Sequence, residues 1–118
     1  MNVREFQETL NLTVVAGEKG LDREVKGGYC GDLLSDVMAN SPIGCIWMTI
    51  QSHKNILAVA VLKEMAAIIL VNGHQPDDET KAKADEEGIP ILLTASSAYQ
   101  IAGMLFQTGV GRAGNEAV

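Results

Sequence analysis

Three short apolar runs, Gly44 to Ile50, Ala67 to Val71 and Ile89 to Leu93, constrain this chain more than any other feature, because each passes through polar, helix-starting residues into a helical pattern. Short apolar runs bounded by turn residues read as buried strands. Strand, helix and strand in repetition, with connections a few residues long, predict an α/β fold: a small three-layer domain with a mainly parallel sheet and flanking helices. Successive parallel strands should be joined by right-handed crossovers. Ligands of such sheets bind beyond the carboxyl ends of the strands, where helix N-termini offer unpaired N–H groups. The loops Thr49 to Asn55, Asn72 to Asp77 and Thr94 to Ser97 are therefore expected to converge on one edge.

The remaining chain completes a single domain over residues 1–108. Val3 to Leu10 reads as an opening helix and Leu12 to Val15 as a first strand, with a turn marked by Gly17 and Gly20. Val25 is assigned to a second short strand. Gly27-Gly28 then release the chain into the segment Gly31 to Met38, where Asp32 is placed to cap a short helix ended by Asn40-Ser41-Pro42. Ala98 to Phe106 forms the last helix. Residues 109–118, with three glycines and few apolar anchors, are expected to fray.

Composition excludes several classes. A chain of 118 residues that is 47% hydrophobic and 20% charged is globular rather than disordered. Its longest apolar run, Ile56 to Leu62, is far below membrane-spanning length. A net charge of −6 with nine basic residues argues against nucleic acid as a partner, since phosphate-backbone binding draws on clustered Lys and Arg. The N-terminus shows no secretory pattern, so a cytoplasmic location is expected, and Cys30 and Cys45 are read as ordinary buried thiols.

The helix through Ile56 to Leu62 is apolar on every side. Its setting between two strands, the polar start at Ser52 and the following Lys63-Glu64 favour a helix of about three turns over a strand. A helix apolar all round must be covered all round. A small sheet covers one side only, so a homodimer is predicted, with cover by a second helix of the same chain as the alternative. The helix carrying Ile101, Met104, Leu105 and Phe106 raises the same expectation.

Chemistry is confined to the three loops. In the first, Ser52 is a plausible cap while Thr49, His53, Lys54 and Asn55 bring donors and positive charge to a helix start, which suits a phosphate or carboxylate. Capping alone, with His53 and Lys54 in solvent, explains the same residues. In the second, Asn72-Gly73-His74 place a glycine where a positive φ is needed, before Pro76 and acids that start a helix. His74 and His53 meet if their loops are adjacent, but two histidines without a third ligand make no metal site. The third offers Thr94, Ser96 and Ser97, small enough to let a ligand approach the backbone and equally suited to capping. Convergence favours the functional reading, since three polar helix starts on one sheet edge form a pocket rim.

No phosphate loop, nucleophile elbow or dinucleotide fingerprint is present in a strand-to-helix context; Gly109 to Gly114 has dinucleotide-like glycine spacing but no strand before it. The carboxylates Asp77, Asp78, Asp85, Glu86 and Glu87 read as a solvated helix face.

The segment from Asp32-Leu33-Leu34-Ser35-Asp36, through Trp47-Met48-Thr49-Ile50-Gln51-Ser52-His53-Lys54-Asn55 and Gly73-His74-Gln75-Pro76-Asp77, to Gly88-Ile89-Pro90-Ile91-Leu92 resembles the DRTGG domain over nearly the whole chain. That family is similar to the N-terminal domain of HPr kinase/phosphorylase and also occurs beside CBS domains in some pyrophosphatases and beside phosphotransacetylase. The resemblance implies an α/β domain that is regulatory, often dimeric and without catalysis of its own. The naming Asp-Arg of the family falls where this chain has Ser52-His53-Lys54, and the Thr-Gly-Gly where it has Val71-Asn72-Gly73, so no ligand is carried over from the signature. The Asp22-Arg23 and Gly27-Gly28 pairs are too widely separated to be that signature and are read as turn residues.

The expectation is thus a regulatory or accessory domain, not an enzyme and without a cofactor, sensing a phosphate-bearing metabolite such as an adenine nucleotide at the rim. The competing expectation is a protein-interaction module that docks a partner enzyme and has no small-molecule ligand. An enzyme with an unrecognised site is the third.

Overall fold

Each of the three apolar runs becomes a central strand, and the burial of every residue in the strands Cys45–Thr49 and Ala67–Leu70 explains why these show no polar alternation. The computed structural model describes residues 1–111. In chain order the elements are α1 (Val3–Leu10), β1 (Thr13–Ala16), a 3-10 turn (Glu18–Gly20), β2 (Gly27–Cys30), α2 (Leu34–Asn40), β3 (Cys45–Thr49), α3 (Asn55–Leu62), β4 (Ala67–Leu70), α4 (Asp78–Glu87), β5 (Ile91–Leu93) and α5 (Ala98–Gln107). They build a five-stranded sheet in the order β1-β5-β4-β3-β2. Strands β2 to β5 are parallel, and β1 closes one side antiparallel to β5 with a bulge between Val14 and Ala16.

Strand residues alternate between two cores. Ile46, Met48, Ala67, Ile69 and Leu92 face α1 and α5, through Val3, Phe6, Ile101 and Leu105. Cys45, Trp47, Ile68, Leu70 and Ile91 face α2, α3 and α4, through Val37, Ile56, Leu57, Ala60 and Ala84. Because β2, β3, β4 and β5 lie side by side in chain order, and the helices joining them share one face, the three crossovers have one hand. The chain is therefore an α/β domain of three layers, as its strand and helix pattern predicts.

Local corrections follow from packing. Val25 is a buried core residue, and the strand runs instead through Gly27-Gly28, which pair with Cys45 and Ile46. A Cβ on Gly28 would lie 2.5 Å from Leu105 Cδ2, so a glycine strand lets α5 lie close on the sheet. Asp32 does not cap α2, which has no side-chain cap; its carboxylate accepts from Thr49 Oγ1 at 2.8 Å and from the Ile50 N–H at 3.0 Å, clasping the end of β3. Ser52 likewise caps nothing. Helix α3 starts only at Asn55 and spans eight residues, about two turns rather than three. It stops where Glu64 takes φ 50 and the Met65 N–H returns to the Ala60 carbonyl.

Most of the stretch expected to fray, residues 112–118, lies outside the described residues. Gly109 to Gly111 form a turn, and a Cβ on Gly111 would lie 2.7 Å from Gly27 Cα, so this turn packs on the start of β2. Among the described residues no helix is long and apolar enough to cross a membrane.

Candidate functional site

Parallel β3, β4 and β5 deliver all three polar loops to the same edge, the expected one. Their helix starts are nevertheless largely satisfied from within. At α3 the Asn55 N–H donates to His53 Nδ1 at 3.2 Å, and the Ile56 and Leu57 N–H groups donate to the carbonyls of His53 and Lys54. At α4 the Thr80 N–H donates to Asp77 Oδ1 at 2.8 Å. At α5 Ser97 and Gln100 make a reciprocal capping box, with the Gln100 N–H donating to Ser97 Oγ at 3.2 Å.

The first loop has committed its charge and its hydroxyl. Lys54 Nζ lies 2.7 Å from Glu79 Oε1, and that hydrogen-bonded carboxylate raises the lysine pKa. Asp77 has its pKa lowered, first by the bonds it accepts from Thr80 and then by the nearby His53 and Lys54 charges. Thr49 is 1% exposed; its hydroxyl donates to Asp32 and accepts from the Gln51 N–H, so it is a structural residue rather than one turned to a ligand. Ser52 is half-buried, and its carbonyl accepts from Thr80 Oγ1 at 3.2 Å. Loops one and two are thus tied through the α4 start.

Loops two and three meet differently. The Asn72 N–H donates to the Ser96 carbonyl at 2.9 Å and the Gly73 N–H to the Thr94 carbonyl at 3.0 Å. Asn72 and Gly73 hold φ of 56° and 76°, the left-handed pair that turns the chain back on itself. Thr94 Oγ1 accepts from the Ser96 N–H. Beneath this seam Thr13, Gly73, His74, Gln75, Leu93, Thr94 and Ala95 line a cleft of about 190 Å³. Its position has a topological cause: the chain leaves β4 toward α4 on one face and leaves β5 toward α5 on the other, so the two loops diverge there. In open α/β sheets that divergence is where ligands bind. Pattern reasoning missed Thr13, Gln75, Leu93 and Ala95. Thr13 arrives from the antiparallel strand and leaves no local signal.

The eleven expected residues therefore separate. Gly73, His74 and Thr94 line the cleft, with Asn72 and Ser96 in the seam above it and Ser97 capping α5. Lys54 and Asn55 line a different groove, between α3 and α4. His53 lies near enough to Asp77 for its charge to help lower the pKa of that carboxyl. Among the described residues no group of three or more His, Cys, Asp or Glu is placed to hold a metal ion.

The sequence matches the DRTGG domain family over residues 5–108. This chain belongs to the DRTGG domain family. A solved structure of the CBS and DRTGG domains from the regulatory region of a Clostridium perfringens pyrophosphatase, complexed with its activator diadenosine tetraphosphate, superposes on it with a TM-score of 0.71 at 15% identity. The match covers 91% of this DRTGG domain and 46% of that chain, so the protein spans less than half the length of its structural neighbour. At that identity the likeness carries the fold alone. No curated protein sequence matches it.

Proposed function

We propose that this DRTGG domain is a non-catalytic regulatory unit that reads a phosphate-bearing metabolite, an adenine nucleotide first among them, in the cleft between Gly73–Gln75 and Leu93–Ala95. The observation that carries the reading is the cleft itself. It lies at the divergence of two loops and, in a chain of net charge −6, has no carboxylate among its lining residues. His74, Gln75, Thr13 and Thr94 bring an imidazole, an amide and two hydroxyls, and a Cβ on Gly73 would meet nothing within 4 Å, so a ligand can approach its backbone. At about 190 Å³ the space suits a phosphate or a ribose rather than a whole nucleotide, whose remainder would lie across the rim. The structural neighbour's complex with a nucleotide activator supports the choice of ligand class. Ligand binding would act by population shift, favouring one arrangement of an attached interface.

The test is the thermal unfolding midpoint of the purified protein against adenine and guanine nucleotides, diadenosine tetraphosphate and inorganic phosphate. Ligand at about a hundred times its Kd contributes about 2.7 kcal/mol, a rise of several degrees for a domain of this size. The rise is expected to disappear in His74→Ala and Thr94→Val and to persist in Lys54→Ala. No shift with any of them transfers the reading to a module that docks a partner enzyme without a ligand, for which the exposed Tyr99 and Phe106 on α5 speak.

A further inference from the structure

Of the six asparagines in the chain, only Asn72 is followed by a glycine. The pair forms the centre of the turn after β4, which the His74 N–H closes by donating to the Val71 carbonyl at 3.1 Å. Both central residues hold positive φ, 56° at Asn72 and 76° at Gly73, the arrangement that Asn-Gly adopts most readily. The turn therefore accounts for the pair, and the pair carries a chemistry of its own. A glycine leaves its peptide nitrogen unshielded toward the carboxamide of the preceding asparagine, and a Cβ on Gly73 would meet nothing within 4 Å. The Asn72 carboxamide is exposed and has no hydrogen-bond partner among the described residues. By contrast, Asn40 Nδ2 donates to Asp36 Oδ1 at 2.9 Å and Asn2 Oδ1 accepts from the Glu5 N–H at 2.8 Å.

We propose that Asn72 is a site of spontaneous deamidation, gated by the hydrogen bond from the Gly73 N–H to the Thr94 carbonyl. The Gly73 nitrogen gives up its proton to solvent and attacks Asn72 Cγ; the N–Cγ bond forms, the Cγ–Nδ2 bond breaks and ammonia leaves, closing a succinimide. Water then opens one of the two ring carbonyls and yields an aspartate or an isoaspartate at position 72. One water is consumed and one ammonia released, with no change of oxidation state. The succinimide nitrogen carries no hydrogen, so the 3.0 Å bond to Thr94 cannot survive ring closure. In the folded seam the electrophile is free while the nucleophile is held. The reaction therefore proceeds from conformations in which loops two and three have parted, and local opening of this kind costs less than unfolding the whole domain. Either product replaces a neutral amide by a carboxylate, and isoaspartate adds an atom to the main chain inside a hydrogen-bonded turn, so the modified seam closes less well. The new charge also stands beside a cleft with no carboxylate in its lining, and under the proposed function it opposes a phosphate. The modification itself does not depend on that reading.

Peptide mass spectrometry of the full chain aged in warm neutral buffer, with isoaspartate counted by enzymatic methylation, tests the proposal. Asn72 is expected to convert over weeks while the protein stays folded by circular dichroism, and Asn11, Asn40 and Asn55 to remain intact. In urea the conversion of Asn72 should run at least about tenfold faster, equivalent to about 1.4 kcal/mol of seam opening. Thr94→Val removes the Oγ1 acceptor of the Ser96 N–H, so it should raise the rate in the folded chain and leave the rate in urea unchanged. A folded wild type that keeps Asn72 intact overturns the proposal. So do equal rates with and without urea, conversion of the other asparagines as fast as Asn72, or a folded Thr94→Val that reacts no faster. Should Thr94→Val fail to fold, the two wild-type rates decide.

Discussion

Asp32 shows how much a single carboxylate can do once the chain is folded. Its position before α2 suggests a cap, but a carboxylate at the end of β2 is closer to the end of β3 than to its own helix. It accepts from the Thr49 hydroxyl and the Ile50 N–H, while the Asp32 carbonyl accepts from Gln51 Nε2 at 2.8 Å. Trp47 adds a bond from Nε1 to the Gly31 carbonyl at 2.8 Å, so the β2 exit is fastened to β3 at several points. Replacing Asp32 by Ala strands the buried Thr49 hydroxyl and should cost about 1–3 kcal/mol, whereas Asp32→Asn keeps an acceptor and should cost less. Urea unfolding of both variants checks this. Equal losses would mean that the charge, rather than the acceptor, holds the loop.

At the scale of elements, the helices differ in what holds their ends. Helices α1 and α5 carry capping boxes, Asn2 with Glu5 and Ser97 with Gln100, and α4 is capped by Asp77. Helices α2 and α3 have no side-chain cap and rely on packing through Val37, Ile56, Leu57 and Ala60. Ser97→Ala should therefore cost about 1 kcal/mol, a drop of several degrees in midpoint. Leu57→Ala in the core of α3 should cost about 2–5 kcal/mol. A Ser97→Ala loss as large as that of Leu57→Ala would show that the third loop depends on Ser97 for more than a helix end.

At the scale of the whole molecule, the Cys45 thiol is the one ionisable side chain among the described residues that is fully buried in the sheet, whereas Cys30, expected to be buried as well, is exposed. Burial pushes the Cys45 thiol from its ordinary 9.0 up to about 11. A group whose pKa is higher folded than unfolded contributes stability that is complete below the unfolded value and lost as pH rises through the folded one. Stability should thus begin to fall near pH 9 and keep falling to about 11. The raised pKa of Lys54 acts in the same direction. Midpoints measured from neutral to alkaline pH should fall less steeply in Cys45→Ala than in the wild type, although the variant starts lower because it leaves a cavity in the sheet. Parallel curves would place the alkaline loss elsewhere.

The sequence alone determined the α/β class, the central strands, the helices from Val3, near Asp78 and from Ala98, and the common edge of the three loops. Each of these rests on local apolar runs and on capping residues that act within a few positions. It also determined that α3 is apolar all round, a pattern that one sheet cannot bury. Only the tertiary structure decided which polar groups were already engaged. Asp32 reaches Thr49 across seventeen residues and Lys54 reaches Glu79 across twenty-five. Thr13 enters the cleft because β1 turns antiparallel beside β5. Such pairings depend on which strands become neighbours, and strand order is a property of the assembled sheet that no short stretch of chain encodes.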